Sequence, residues 1–271
     1  MLGASRLMLL TAGICACLRA SGDPSLDAGY AHMYNLEFAD AHRTFGTWMT
    51  SNPSDPMGPV SDAAAYLFSE LDRLRILEGE FFLHDDNFRS RQRLTTDPSV
   101  SRAFHEQLAK ADRLGDQVLA REPRNTNALF AKVLVLGLRS DYDGLIEKRY
   151  LSSLSATKKS RGLAESLLAI DPSYHDAWLA IGVENYLLSL KPAPVRWVLQ
   201  LAGNATDREL GLEKLRITAE KGRYLRPFAQ LLLAVAALRD KNHDQAKSLL
   251  QGLSRQFPRN RLYVQELARL K

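Results

Sequence analysis

Residues Arg161 to Tyr186 read RGLAESLLAIDPSYHDAWLAIGVENY, and this stretch decides the fold. Leu163, Ala164, Leu167 and Leu168 recur at steps of three and four, so they share one face of a helix. Asp171 and Pro172 end it, because proline has no amide hydrogen and disfavours helical geometry in the residue before it. Trp178, six residues past Pro172, opens a second apolar pattern with Ile181 and Gly182. The stretch predicts a helix, a tight turn, and a second helix that returns along the first.

The same punctuation recurs around Pro53, Pro123 and Pro258. Twelve residues before the four prolines stand Ala41, Ala111, Ser160 and Ala246, all small; five before stand Trp48, Val118, Leu167 and Leu253, all apolar. Six residues after the later three come Leu129, Trp178 and Val264. Antiparallel helices approach closely only where side chains are short, and a large apolar neighbour then fills the wedge beside them. The prolines are 70, 49 and 86 residues apart, so further helices lie between the units.

These offsets, with W-x-x-I-G from Trp178 and with Gly29, Ala41, Phe45 and Pro53 near the start, resemble the tetratricopeptide repeat. That family pairs W-x-x-L-G-x-x-Y with a closing proline at a period of about 34 residues. The resemblance implies an all-α chain over residues 23–271, an irregular α-solenoid of antiparallel helix pairs, and an unidentified protein or peptide as partner. By repeat position, Tyr30, Met33, Tyr34, Val183 and Tyr186 would line the partner-binding groove. Some members grip a partner's C-terminal carboxylate with Lys and Asn. Those positions fall here on Leu26 and Tyr30, Phe130 and Leu134, Leu179 and Val183, Leu231 and Val235, all apolar or aromatic. The matching surface is then an apolar peptide groove or buried packing.

Helical spacing predicts helices over 25–35, 37–50, 61–83, 102–121, 127–138, 145–170, 175–190, 207–221, 227–239 and 243–257, with a terminal helix over 261–270 covering the last pair. The polar run 84–99 predicts a surface loop. Sustained strand alternation is absent. Between Pro194 and Gly203, the run VRWVLQL predicts a short helix or turn that plugs the core, or an exposed apolar element that touches membrane or partner.

The first 22 residues predict a leader. Arg6 precedes an apolar run to Leu18 that is too short to span a bilayer core of about 30 Å. A charged start, a short apolar run and a small-residue exit describe an export signal, and hence the periplasm or cell envelope as destination. Both cysteines, Cys15 and Cys17, lie within it, leaving a thiol-free body suited to an oxidising compartment. Ile14-Cys15-Ala16-Cys17 resembles a bacterial lipoprotein box with Cys17 as the lipidated residue; incidental apolar cysteines are the alternative. A lipid at Cys17 would be the membrane attachment.

Chemistry is sparse. The chain has a formal net charge of +5, of which Arg6 and Arg19 leave with the leader, a mild excess that gives no argument for nucleic acid. Arg89-Arg91-Arg93 and Lys158-Lys159-Arg161 lack interleaved aromatics and read as solvated faces. His105-Glu106 opens like a zinc-protease helix, but Ala109 stands where the second histidine belongs. His84-Asp85-Asp86 reads as a solvated turn, and Glu184-Asn185-Tyr186 as structural. No glycine-rich nucleotide loop or nucleophile elbow is present, so neither cofactor nor metal is expected. The function expected is a non-enzymatic scaffold for protein–protein contact. The alternative is a metal-dependent or hydrolytic enzyme whose His, Asp and Glu residues converge only in the fold.

Overall fold

A computed structural model describes residues 25–77 and 94–270. Among the described residues the chain is all-helical, with no strand. Its helices are α1 (Leu26–Tyr34), α2 (Phe38–Ser51), α3 (Met57–Arg73), α4 (Pro98–Arg121), α5 (Thr126–Asp141), α6 (Tyr150–Ile170), α7 (Trp178–Ser189), α8 (Ala193–Leu201), α9 (Arg208–Lys221), α10 (Arg226–Arg239), α11 (His243–Gln256) and α12 (Arg261–Arg269). A π-turn (Tyr142–Ile146) follows α5, and a 3₁₀ turn (His175–Ala177) leads into α7. The side chains of Ser25, Asp97, Asn125, Asp207, Asn242 and Asn260 accept first-turn amide hydrogens, which supplies partners for donors that a helix start leaves unpaired.

Each helix from α1 to α7 packs on the next; α7 then packs on α9, and the succession resumes to α12. The four prolines sit in one recurring turn. The amide of the residue before each donates to Trp48, Val118, Leu167 or Leu253 at 2.8–2.9 Å. The carbonyl of that same residue accepts from the amide two positions beyond the proline, in Asp55, Asn125, Tyr174 or Asn260. Proline can occupy the turn because its position donates nothing. Ala41, Ala111, Ser160 and Ala246, one helix back, are all buried.

Close helix crossings rest on glycine. A Cβ on Gly29 would lie 2.2 Å from the Phe45 ring, and one on Gly211 of α9 would lie 2.5 Å from the backbone nitrogen of Tyr186 in α7. The interior is a row of aromatics. Phe45 meets Tyr30 edge-on at 5.6 Å, Tyr30 meets Tyr224 at 5.0 Å, Tyr224 stacks on Phe130 at 6.4 Å, and Phe130 meets Tyr174 at 4.9 Å. Residues from α1 and from the turn before α10 thus share one core.

Three expectations change. Tyr30 (3 % exposed), Met33, Tyr34 and Tyr186 are buried, and Val183 packs half-buried against the same core, so they do not line an open groove. Their repeat positions mark inward-facing sites, and the C-terminal helices close over those sites. Helix α3 ends at Arg73 rather than near residue 83: Arg75 is left-handed (φ 57°), and the Arg73 guanidinium turns back onto Glu70. Finally, 193–201 is a helix but no plug, since none of its residues is buried. The leader with Cys15 and Cys17, Arg89-Arg91-Arg93 and His84-Asp85-Asp86 lie outside the described residues.

Candidate functional site: a cleft beside the π-turn

A cleft lies where α5 gives way to α6. Instead of ending at Asp141, the chain widens through Tyr142–Ile146, closed by Glu147 N–H donating to the Tyr142 carbonyl at 3.1 Å. Such single-turn widenings occur often at functional sites. Gly144 permits it here, since a Cβ would stand 2.8 Å from Ser153 Oγ on α6. Hydroxyls stitch the two helices behind it, with Ser140 Oγ 2.9 Å from Ser153 Oγ and 2.6 Å from Thr157 Oγ1.

The turn aims two side chains into a half-open cleft of about 400 Å³, lined also by Phe104, His105, Leu108 and Ala109 of α4. Tyr142 stacks on Phe104 at 4.9 Å, touches the edge of His105 at 4.8 Å, and shares a 2.7 Å hydrogen bond with Ser101. Asp143 is buried and fully engaged: one carboxylate oxygen pairs with the Arg149 guanidinium, and the other accepts from Ser152 Oγ at 2.5 Å. Arg139 stands at the rim, 4.0 Å from Asp112. Burial pushes the His105 imidazole below its usual value, and Arg149 nearby acts in the same direction. The cleft therefore offers an exposed imidazole and guanidinium groups at its edge, above the buried rings of Phe104 and Tyr142.

Ala109, the residue that breaks the zinc-protease pattern, lines this cleft beside His105. Sequence reasoning missed the site. A π-turn leaves no periodic signature, and Asp143, Arg149 and Ser152 are brought to Phe104 and His105 only by packing of α6 on α5 and of α5 on α4.

Other polar clusters are engaged structurally. His32, Glu37 and Asp40 bring ligand-capable atoms within 4.8 Å of one another, but Glu37 pairs with Arg259 and Asp40 with Arg43. His42 Nδ1 lies 2.6 Å from Asp62, its ring packed on Tyr66. Glu184, fully buried, accepts from Arg161 Nε at 2.7 Å and from the Ala205 amide at 3.0 Å, while Asn185 accepts from the Asp207 amide at 3.0 Å. Glu184-Asn185 thereby fixes the loop between α8 and α9. Asp176 does the same at the turn into α10, accepting three consecutive amides, those of Arg223, Tyr224 and Leu225.

No helix among the described residues is long and apolar enough to cross a membrane. No protein-family model, curated protein or solved structure matches this chain.

Proposed function

We propose that the protein is a non-enzymatic scaffold of the bacterial cell envelope, an irregular TPR-like α-solenoid that holds another protein. The observation that carries this reading is the cleft beside the π-turn. At its rim stand the guanidinium groups of Arg139 and Arg149, a residue type enriched in protein-binding hot spots, above the buried rings of Phe104 and Tyr142. An extended segment carrying an acidic residue fits this chemistry, its carboxylate meeting Arg139 at the rim and its neighbouring side chain lying over His105 and Ala109. The recurring proline turns support the frame, because stacked helix pairs present a preorganised surface.

The competing enzymatic reading needs a carboxylate beside a histidine in an open site. Glu37, Asp40 and Asp143 are bonded to Arg259, Arg43 and Arg149, and Asp62, itself buried, holds the His42 ring against Tyr66. The test is a pull-down from envelope extract with the folded body and with Arg139→Glu, using Arg121→Glu at the far end of α4 as control. A partner retained by wild type and control but lost by Arg139→Glu supports the proposal. A partner retained equally by all three removes the cleft from it.

A further inference from the structure

Helix α8 (Ala193–Leu201) inverts the usual amphipathic arrangement. Pro194, Trp197, Val198 and Leu201 stand at i, i+3, i+4 and i+7 and so form one face. That face points to solvent, with Trp197 63 % and Leu201 70 % exposed and Val198 and Val195 exposed beside them. Of its two polar residues, Gln200 is exposed and Arg196 is half-buried, donating to the carbonyls of Lys191 at 2.9 Å and Ser189 at 3.4 Å. The helix is also held in place. Lys158 Nζ donates to the Ala202 carbonyl at 2.6 Å, Arg161 to Gly203 at 3.1 Å, and Asn204 back to Leu199 at 3.1 Å. An apolar face fixed outward needs a cover.

Charge says what the cover is. From Asn185 to Thr206 the chain carries Lys191 and Arg196 and no acid. From Lys148 to Ala164 it carries five more cations, of which Arg149 is paired with Asp143 and Arg161 with Glu165 and Glu184, while Lys158 and Lys159 are exposed. Lys158 joins the two stretches through its bond to Ala202. Seven residues, or about 10 Å, along that face of α6 stands Leu151, 85 % exposed, next to exposed Tyr150. Tryptophan, tyrosine and aliphatics set among lysines and arginines suit the boundary between headgroups and acyl chains of an anionic leaflet.

We propose that α8, with the Lys158–Arg161 stretch of α6 joined to its C-terminal end, rests on the surface of an anionic phospholipid bilayer. Trp197, Val198 and Leu201 enter the acyl boundary, and Lys158 and Lys159 face the headgroups. This goes beyond the scaffold reading and does not depend on the cleft.

The test uses residues 23–271, without the predicted leader and its Cys17, so that neither contributes, floated with phosphatidylcholine vesicles and with phosphatidylcholine–phosphatidylglycerol vesicles. Binding is expected to the second only, to weaken with salt, and to fall at least roughly tenfold in Trp197→Ser/Leu201→Ser. Quenching of tryptophan emission by brominated lipid, lost in Trp197→Ser, gives a second readout on a fold that an exposed substitution leaves intact. Absence of flotation, or equal flotation of the variants, overturns the proposal. So does a wild-type dimer in sedimentation that the variants dissolve, which would make a second copy the cover. Loss of partner by Arg139→Glu with lipid binding unchanged would separate the two readings.

Discussion

The hydroxyl of Tyr34 in α1 donates a 2.9 Å hydrogen bond to the backbone carbonyl of Tyr224, 190 residues further along the chain. Around it Asn260 donates to the Tyr34 carbonyl at 2.8 Å, Arg223 pairs with Asp27 at 2.6 Å, and Arg261 with Asp72 at 2.7 Å. The first hairpin is thereby built into the packing of the last helices, and the space between them is filled with aromatic rings.

Tyr34→Phe leaves the Tyr224 carbonyl without this partner inside the core and is expected to cost about 1 kcal/mol. Tyr34→Ala removes the ring as well and is expected to cost about 3–5 kcal/mol. Urea unfolding checks both. Hydrogen exchange on Tyr34→Ala should loosen α1 and the turn before α10 together. Exchange confined to α1 would contradict the shared core.

Gly211→Ala drives a methyl group into the backbone of Tyr186 and is expected to destabilise by about 1–3 kcal/mol. Gly162→Ala, in α6 with nothing within 4 Å of the new Cβ, is expected to stabilise by about 0.5–1 kcal/mol. Opposite signs in thermal unfolding are the outcome; equal signs would mean that α7 and α9 do not cross there.

Glu184→Ala takes one carboxylate from the Arg161 guanidinium, which keeps Glu165 and the Gly203 carbonyl, and leaves the Ala205 amide without its acceptor, with an expected loss of about 1–3 kcal/mol. Glu184→Gln keeps an acceptor for Ala205 and should lose less. Exchange of the Ala205 and Asp207 amides should rise in both; unchanged protection would mean that the loop is held by something else.

Burial pushes the Asp141 carboxyl up to about 7. Its folded value lies above its ordinary value of about 3.9, so the protonated form belongs to the fold. The stability it contributes is complete below about 4 and is lost as pH rises through about 7. Glu37 runs the other way: chiefly through its hydrogen bond to His32, its carboxyl is held low, so its contribution is present above the usual carboxylate range and lost in acid. The urea midpoint of wild type is expected to fall between pH 5 and pH 8, and Asp141→Asn to flatten that fall. Parallel slopes would count against it.

Much of the fold was legible from short-range chemistry. Pro53, Pro123, Pro172 and Pro258 mark turns because the missing donor acts on the nearest residues, whatever the rest of the chain does. The small residues twelve positions earlier mark close helix contacts for an equally local reason. The end of α3 was less legible, because Glu70 stops it by gathering Arg73 and the Asp97 amide, which is 27 residues away. The cleft was not legible at all: Phe104, Tyr142 and Ser152 carry no shared spacing, and only the π-turn and the packing of three helices bring them together.

By itself the sequence determined the helical character of the described residues, the places where their helices reverse, and which helix faces are apolar, since each follows from periodicity and backbone chemistry within a few residues. Tertiary structure alone decided what covers each face. Tyr30, Met33, Tyr34 and Tyr186 have the apolar character of groove residues, yet they are buried because helices distant in sequence close over them. Trp197 and Leu201 have that same character and stay in solvent, because Arg196 and the Lys158–Ala202 contact hold α8 with its apolar face outward. Apolar surface is a property of a segment; burial depends on neighbours that only the completed packing supplies.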